Sequence, residues 1–137
     1  MKNALAIIAA FILIFAGFFG YVYSNTKEVR VLSNNFVHYI SANQMAEAYA
    51  MLNKKLQAKV SLVVFTQQFT ENKMNTLDHV DWTSFSVKND IQSAEGALTL
   101  KSGFQGTIRI RVAKLDADPA YSIISYAFNG IINEDQL

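Results

Sequence analysis

Asp78, His79 and Asp81 in "LDHVDW" (77–82) place two carboxyls and an imidazole within four residues of a chain of 137 residues. A carboxylate beside an imidazole can hold the ring in one tautomer and exchange a proton with it, so this run has the adjacent parts of a general acid–base unit. The simpler reading is a solvated strand entry in which Asp and His cap a turn. Five residues could together line a pocket: His38, Tyr39, Tyr49, Asp81 and Trp82. A carboxyl buried among such rings would have its pKa raised enough to act as a base. Each residue also has an ordinary reading. His38 lies beside an apolar stripe, where a hydrogen-bonded, partly buried histidine is common, and Tyr49 and Trp82 suit a core. Arg109 and Arg111, with Lys101 or Lys114, suggest either a basic stripe or the solvated side of a half-buried strand.

Composition removes several kinds of chemistry. With no cysteine there are no disulfides, no thiol catalysis and no thiolate-bound metal. The two histidines, His38 and His79, are far apart and lack metal-ligand spacing, so neither a metal nor any other cofactor is expected. From Lys27 onward, 11 basic and 11 acidic side chains balance. A nucleic-acid binder needs a basic surplus to displace counterions, and none is present. Nor does any run of Lys and Arg along the sequence point to an acidic membrane surface.

The elements that must position these residues begin with "NALAIIAAFILIFAGFFGYVYSNT" (3–26), which holds no charge. At about 1.5 Å per residue, roughly 20 helical residues cross a hydrocarbon core of about 30 Å. Residues 4–23 supply that length, and Phe18, Phe19, Tyr21 and Tyr23 crowd the end where aromatic rings sit at a membrane interface. A cleaved export signal has a shorter apolar region and a small-x-small site, for which Val22-Tyr23-Ser24 is a poor match. The reading is therefore an uncleaved anchor over residues 1–25 and one domain over 26–137. Charges flanking the span nearly balance. The short N-terminal tail favours a tail inside and a domain exported to the periplasm of a bacterial inner membrane. Ala6, Ala10, Gly17 and Gly20 are small enough to let another transmembrane helix approach closely, although Ala and Gly are common in any span.

Beyond the span, Val29, Leu32, Phe36, Tyr39 and Ile40 recur at helical spacing. "SANQ" (41–44) reads as a capping box that restarts a helix carrying Met45, Tyr49, Leu52 and Leu56 on one face. Ser61 reads as the N-cap of a third helix with Leu62, Phe65 and Phe69 on a face. After Asn75 the period falls to two. "VDWTSFSVK" changes parity between Trp82 and Phe85, which predicts a bulge. "ALTLK", "GTIRIRVAKL" and "YSIISYAFNGI" complete four strands, with "DADP" as a turn. The expected fold is α+β: a transmembrane helix, then three helices packed on a four-stranded antiparallel meander.

Ala48, Tyr49 and Leu52 fit an A-Y-x-x-L helix, and Ser61 and Phe65 an S-x-x-x-F helix start. Tyr121, Ile123 and Tyr126 approximate a final W-x-I-x-x-F strand, with Tyr in place of Trp. Over residues 30–130 this order resembles small exported members of the nuclear-transport-factor-2-like, or cystatin-like, superfamily. The resemblance implies a curved sheet wrapped around a long helix, and a cone between them that houses the active site in the enzymes of that superfamily. It carries over no activity, because the fold hosts enzymes, binding proteins and scaffolds. Three functions follow as expectations. The first is a non-catalytic accessory or assembly subunit, its partners being the bilayer and the integral proteins of an inner-membrane complex. The alternatives are a tethered binding domain for a small apolar ligand or lipid, and an isomerase- or dehydratase-type enzyme.

Overall fold

Residues whose apolar side chains recur every three or four positions form helices, and those that alternate form one sheet. The computed structural model describes residues 25–115, 120–129 and the strand backbone of 131–134. The expected span and its small residues, Ala6, Ala10, Gly17 and Gly20, lie outside the described residues, as does the "DADP" turn. Among the described residues, no helix is long and apolar enough to cross a membrane.

Helix α1 (Lys27–Ser41) buries Val29, Ser33, Phe36 and Ile40, the i, i+4, i+7, i+11 stripe of an amphipathic helix. Its Thr26 N-cap makes no side-chain capping bond. The sheet supplies part of the cap instead. Gln92 accepts from the Val29 backbone N–H at 3.0 Å and donates to Glu28 at 2.8 Å. One of the orphan donors that every helix start carries is thereby satisfied.

Two local readings need correction. Ser41 does not cap the next helix. It ends α1, and its hydroxyl donates to the His38 carbonyl at 2.9 Å, while Asn43 turns the chain with φ +58°. The second expected helix is also two helices, α2 (Met45–Ala50) and α3 (Lys54–Lys59). Asn53 breaks it. Its extended backbone (ψ 147°) starts α3, and its side chain accepts from the Lys55 N–H at 2.9 Å. The broken segment pairs with the sheet: the Asn53 N–H donates to Ile123 O at 2.8 Å and the Ile123 N–H to Met51 O at 3.0 Å. Asn competes well for cap positions and poorly for helix interiors, so the break falls there. Ser61 caps α4 (Leu62–Glu71) as expected, accepting from the Val64 N–H at 3.2 Å.

A 3₁₀ turn (Met74–Thr76) leads into an antiparallel meander: β1 (Leu77–Lys88), β2 (Ile91–Leu100), β3 (Gln105–Ala113), β4 (Ser122–Phe128) and β5 (Ile131–Glu134). The fifth, short strand was not expected. It pairs with β4 from Ser125↔Glu134 to Phe128↔Ile131. Asn89 and Asp90, both at positive φ, make the two-residue β1–β2 turn, a conformation that suits Asn and Asp. The predicted bulge is present as a register shift between Trp82 and Ser84. It restores phase, so that Val80, Trp82 and Phe85 face the same way as their partners Leu98, Gly96 and Ala94.

The helices cover one sheet face, onto which Ala94, Leu98, Ile108, Ile110, Val112, Tyr126 and Phe128 point. The other face carries Ser93, Glu95, Thr107, Arg109 and Arg111. Phe65 packs beside Tyr126 (5.5 Å between ring centres) and Phe69 beside Phe128 (4.4 Å), so α4 runs in the same direction as β4.

Candidate functional site

The interior between helices and sheet is where an active-site cone would lie, and aromatic rings fill it. Phe36, Phe65, Phe69, Tyr126 and Phe128 are all at most 2% exposed. Each of their contacting ring pairs has centres between 4.4 and 6.3 Å apart. Aromatic pairs at such separations add to the stabilisation that burial alone provides. The Tyr126 hydroxyl donates to Gln68 Oε1 at 2.8 Å, and burial, with a smaller contribution from Tyr49, pushes its pKa up. A neutral, internally hydrogen-bonded phenol at the centre of a packed core is a structural group.

The five expected pocket residues do not converge. Tyr49 is half-buried against Phe65, 5.5 Å between ring centres. Its hydroxyl donates to Val60 O at 2.8 Å and Gln57 O at 3.1 Å. Gln57 reciprocates by donating to Tyr49 O and Leu52 O. This clasp ties α2 to the α3–α4 junction. Tyr39 packs against the core, whereas His38 is exposed on the last turn of α1 with its ring 6.1 Å from that of Tyr39. Trp82 lies on the helix side of β1. Its indole N–H donates to Asn34 Oδ1 at 2.9 Å, and its ring sits over Gly96, where an added Cβ would meet Trp82 Cε3 at 3.1 Å. Asp81 projects from the opposite side of the same strand.

The Asp78–His79–Asp81 cluster is real and solvated. His79 Nδ1 lies 2.8 Å from Asp78 Oδ2, and Nε2 lies 3.3 Å from Asp81 Oδ2. All three side chains are at least half exposed. The hydrogen bond to Asp78, followed by the charge of Asp81, raises the His79 pKa. Water reaches the whole group, so the low-dielectric surroundings that strengthen acid–base catalysis are missing here. Among the described residues no group of His, Asp and Glu could hold a metal ion. The cluster also lies on the edge strand, where charges and bulges hinder pairing with other chains.

Two other depressions bear on function. One, of about 230 Å³, lies where α1 begins and is lined by Lys27, Glu28, Val31, Leu32 and Tyr121. The other, of about 390 Å³, lies on the open sheet face, where Glu95 stands opposite Arg109 and Ser93 opposite Arg111. An acidic neighbour in the register thus interrupts the expected basic stripe. Lys101 sits at the β2–β3 hairpin and Lys114 at the other end of the sheet.

The chain matches no protein-family model and no curated protein. Function must therefore be argued from the side chains themselves. The sequence reading missed three contacts: Asn34–Trp82, Arg30 over the Phe85 ring (5.9 Å), and Gln92 with Glu28. Their partners stand 48 to 64 residues apart, where no local pattern could join them.

Proposed function

We propose that this chain is a non-catalytic, single-pass inner-membrane protein, whose exported domain serves as an accessory or assembly subunit of a membrane complex. The observation that carries the reading is the filled interior: five rings occupy the space an active-site cone would need. The most polar cluster, Asp78–His79–Asp81, stands in water instead. The helix-then-meander order is also compatible with the cystatin-like resemblance, in which scaffolds are as much at home as enzymes. Partner contact is assigned to the span, through Ala6, Ala10, Gly17 and Gly20, where close backbone approach gains packing that lipid cannot match.

Purification through an affinity tag on the full chain, from detergent-solubilised membranes, tests this. Stoichiometric membrane-protein partners are expected, and Gly17→Leu with Gly20→Leu should release them while the protein stays in the membrane. A harmless anchor variant paired with an inactive Asp81→Asn or His79→Ala variant would overturn the reading in favour of an enzyme. The second reading, a tethered binder of a small apolar ligand or lipid, draws on the groove beside Val31, Leu32 and Tyr121. A lipid that co-purifies stoichiometrically and is lost on Leu32→Glu would support it.

A further inference from the structure

A third depression, of about 520 Å³, lies at the end of the sheet away from the start of α1. Three segments meet there: the end of α4 with Glu71, Asn72 and Lys73, the β2–β3 hairpin with Leu100 and Phe104, and Asn129 after β4. Backbone contacts hold them in place. The Lys101 N–H donates to Thr76 O, the Thr76 N–H donates to Lys73 O, and the Asn129 N–H reaches Thr107 O. Phe69 beside Phe128 brings the end of α4 level with the end of β4. Small-ligand clefts usually measure roughly 300–1,000 Å³, and this one falls within that range.

Four of the lining side chains are choices the fold does not call for. Glu71 puts a carboxylate at the C-terminal end of α4, where the helix dipole disfavours negative charge. Lys73 follows that helix at φ +58°, the left-handed conformation that glycine adopts without steric cost. Among the described residues neither Glu71 nor Lys73 makes an ion pair. Phe104 is 53% exposed at the hairpin and touches no other ring among the described residues. Asn129 is half-buried, yet no described residue hydrogen-bonds its carboxamide. Gly106 leaves the room that this carboxamide occupies, because an added Cβ would overlap Asn129 Oδ1. Local rules are broken most often where a site needs particular side chains.

These groups suit one kind of ligand. A single carboxylate and a single ammonium balance, so no net charge draws an ion into the depression. The carboxylate accepts, the ammonium donates, and a carboxamide does both, which matches neighbouring hydroxyls that each donate and accept. Asn72 already donates to Gln68 O at 2.8 Å, and its oxygen remains to accept. The electron-rich face of Phe104 attracts C–H groups such as those on one side of a pyranose ring. We infer that this depression binds an uncharged oligosaccharide, with one sugar ring stacked on Phe104 and its hydroxyls held by Glu71, Lys73 and Asn129. The inference goes beyond the accessory-subunit reading and uses no residue of the span, so the two stand or fall separately.

The test titrates the full chain, in a polyoxyethylene micelle free of sugar head groups, with chitotetraose, with cellotetraose and, separately, with alanine. NMR follows the amides of Lys73, Phe104 and Asn129, and the Trp82 indole N–H reports on the fold from a distance. Saturable shifts at the three amides with at least one sugar, unchanged by high salt, are expected. A response to chitotetraose alone assigns an N-acetylated amino sugar, and a response to both assigns the pyranose ring itself. Phe104→Ala should weaken binding by about tenfold, the factor that one good aromatic contact supplies. Asn129→Gly, which keeps the positive φ, should weaken it several-fold. If Phe104→Ala disturbs the Trp82 signal, Asn129→Gly and Glu71→Gln carry the comparison. No shift with either sugar overturns the inference, as does sugar binding that persists in all three variants. Shifts from alanine alone overturn it in favour of an amino-acid site.

Discussion

Replacing Tyr49 decides between a core and a ligand platform, and the structure sets both magnitudes. Tyr49→Phe keeps the ring against Phe65 and removes the hydroxyl that donates to Val60 O at 2.8 Å and Gln57 O at 3.1 Å. One hydroxyl has one proton, so the two contacts amount to a single shared bond. The site is part-buried, and water can replace some of what is lost. The cost should be about 1 kcal/mol, the usual net value of an intramolecular hydrogen bond. Tyr49→Ala also removes the ring and undoes the clasp with Gln57. Fully buried large aromatics cost about 3–5 kcal/mol on truncation, and a half-buried ring belongs near the low end, about 3 kcal/mol. Urea unfolding of the full chain in a non-ionic micelle, followed by the fluorescence of its single tryptophan, measures both. If Tyr49→Ala cost less than about 1 kcal/mol, the ring would not be structural and the filled-interior argument would lose a supporting element. The ligand-binding alternative would then gain.

Further expectations follow from single contacts. The His79 titration midpoint, followed by NMR, should lie above the ordinary 6.5 and fall in Asp78→Asn. Because its folded pKa is raised, His79 stabilises the fold fully below its unfolded pKa, and that contribution fades as pH rises through the folded value. Gly96→Ala would push a Cβ to 2.8 Å from Asp81 O and 3.1 Å from Trp82 Cε3, so it should cost about 1–3 kcal/mol in urea unfolding and shift Trp82 emission. Gln92→Leu leaves the Val29 N–H without its acceptor, at about 1–3 kcal/mol, and should raise the Glu28 pKa toward the ordinary carboxylate value. Ser33 is 0% exposed, and no described residue hydrogen-bonds its hydroxyl. Ser33→Ala should therefore leave stability unchanged or raise it by up to about 1 kcal/mol in the same assay.

Elements fixed by local chemistry were legible in the sequence. The stripe of α1, the Ser61 cap and the parity change in β1 each depend on side chains within a turn or two of one another. Each stands where the period placed it. The break at Asn53 was not legible, because Met45, Tyr49, Leu52 and Leu56 keep a helical period straight through it. What overrides the period is a pairing with Ile123, 70 residues away in sequence, that needs Met51 O and Asn53 N–H in extended geometry. Ser41 failed for a related reason. The S-x-x-Q spacing specifies a capping box only if the chain has already left the preceding helix, and here α1 continues through Ser41.

The candidate site was less legible than the fold, and charge shows why. A balanced count of 11 against 11 speaks only to the total, and total charge governs solubility and long-range steering. A surface responds to where the charges stand. Lys27, Lys54, Lys88 and Lys114 lie 26 to 34 residues apart along the chain, a spacing no local motif records. They come together because α1 and β2 share the Gln92 contact while α3 and β4 share the Asn53 contact. Asp78 and Asp81, at the other end of β1, and Glu71, at the end of α4, lie in the far half with only Lys73 and Lys101 near them. Carboxylates gather at the lysine-bearing end as well: Glu28 is held by Gln92, Asp90 stands in the β1–β2 turn, and Glu134 is paired with Ser125 in the same half of the sheet. Which charges neighbour one another is set by these long-range contacts, and no count along the chain can show it.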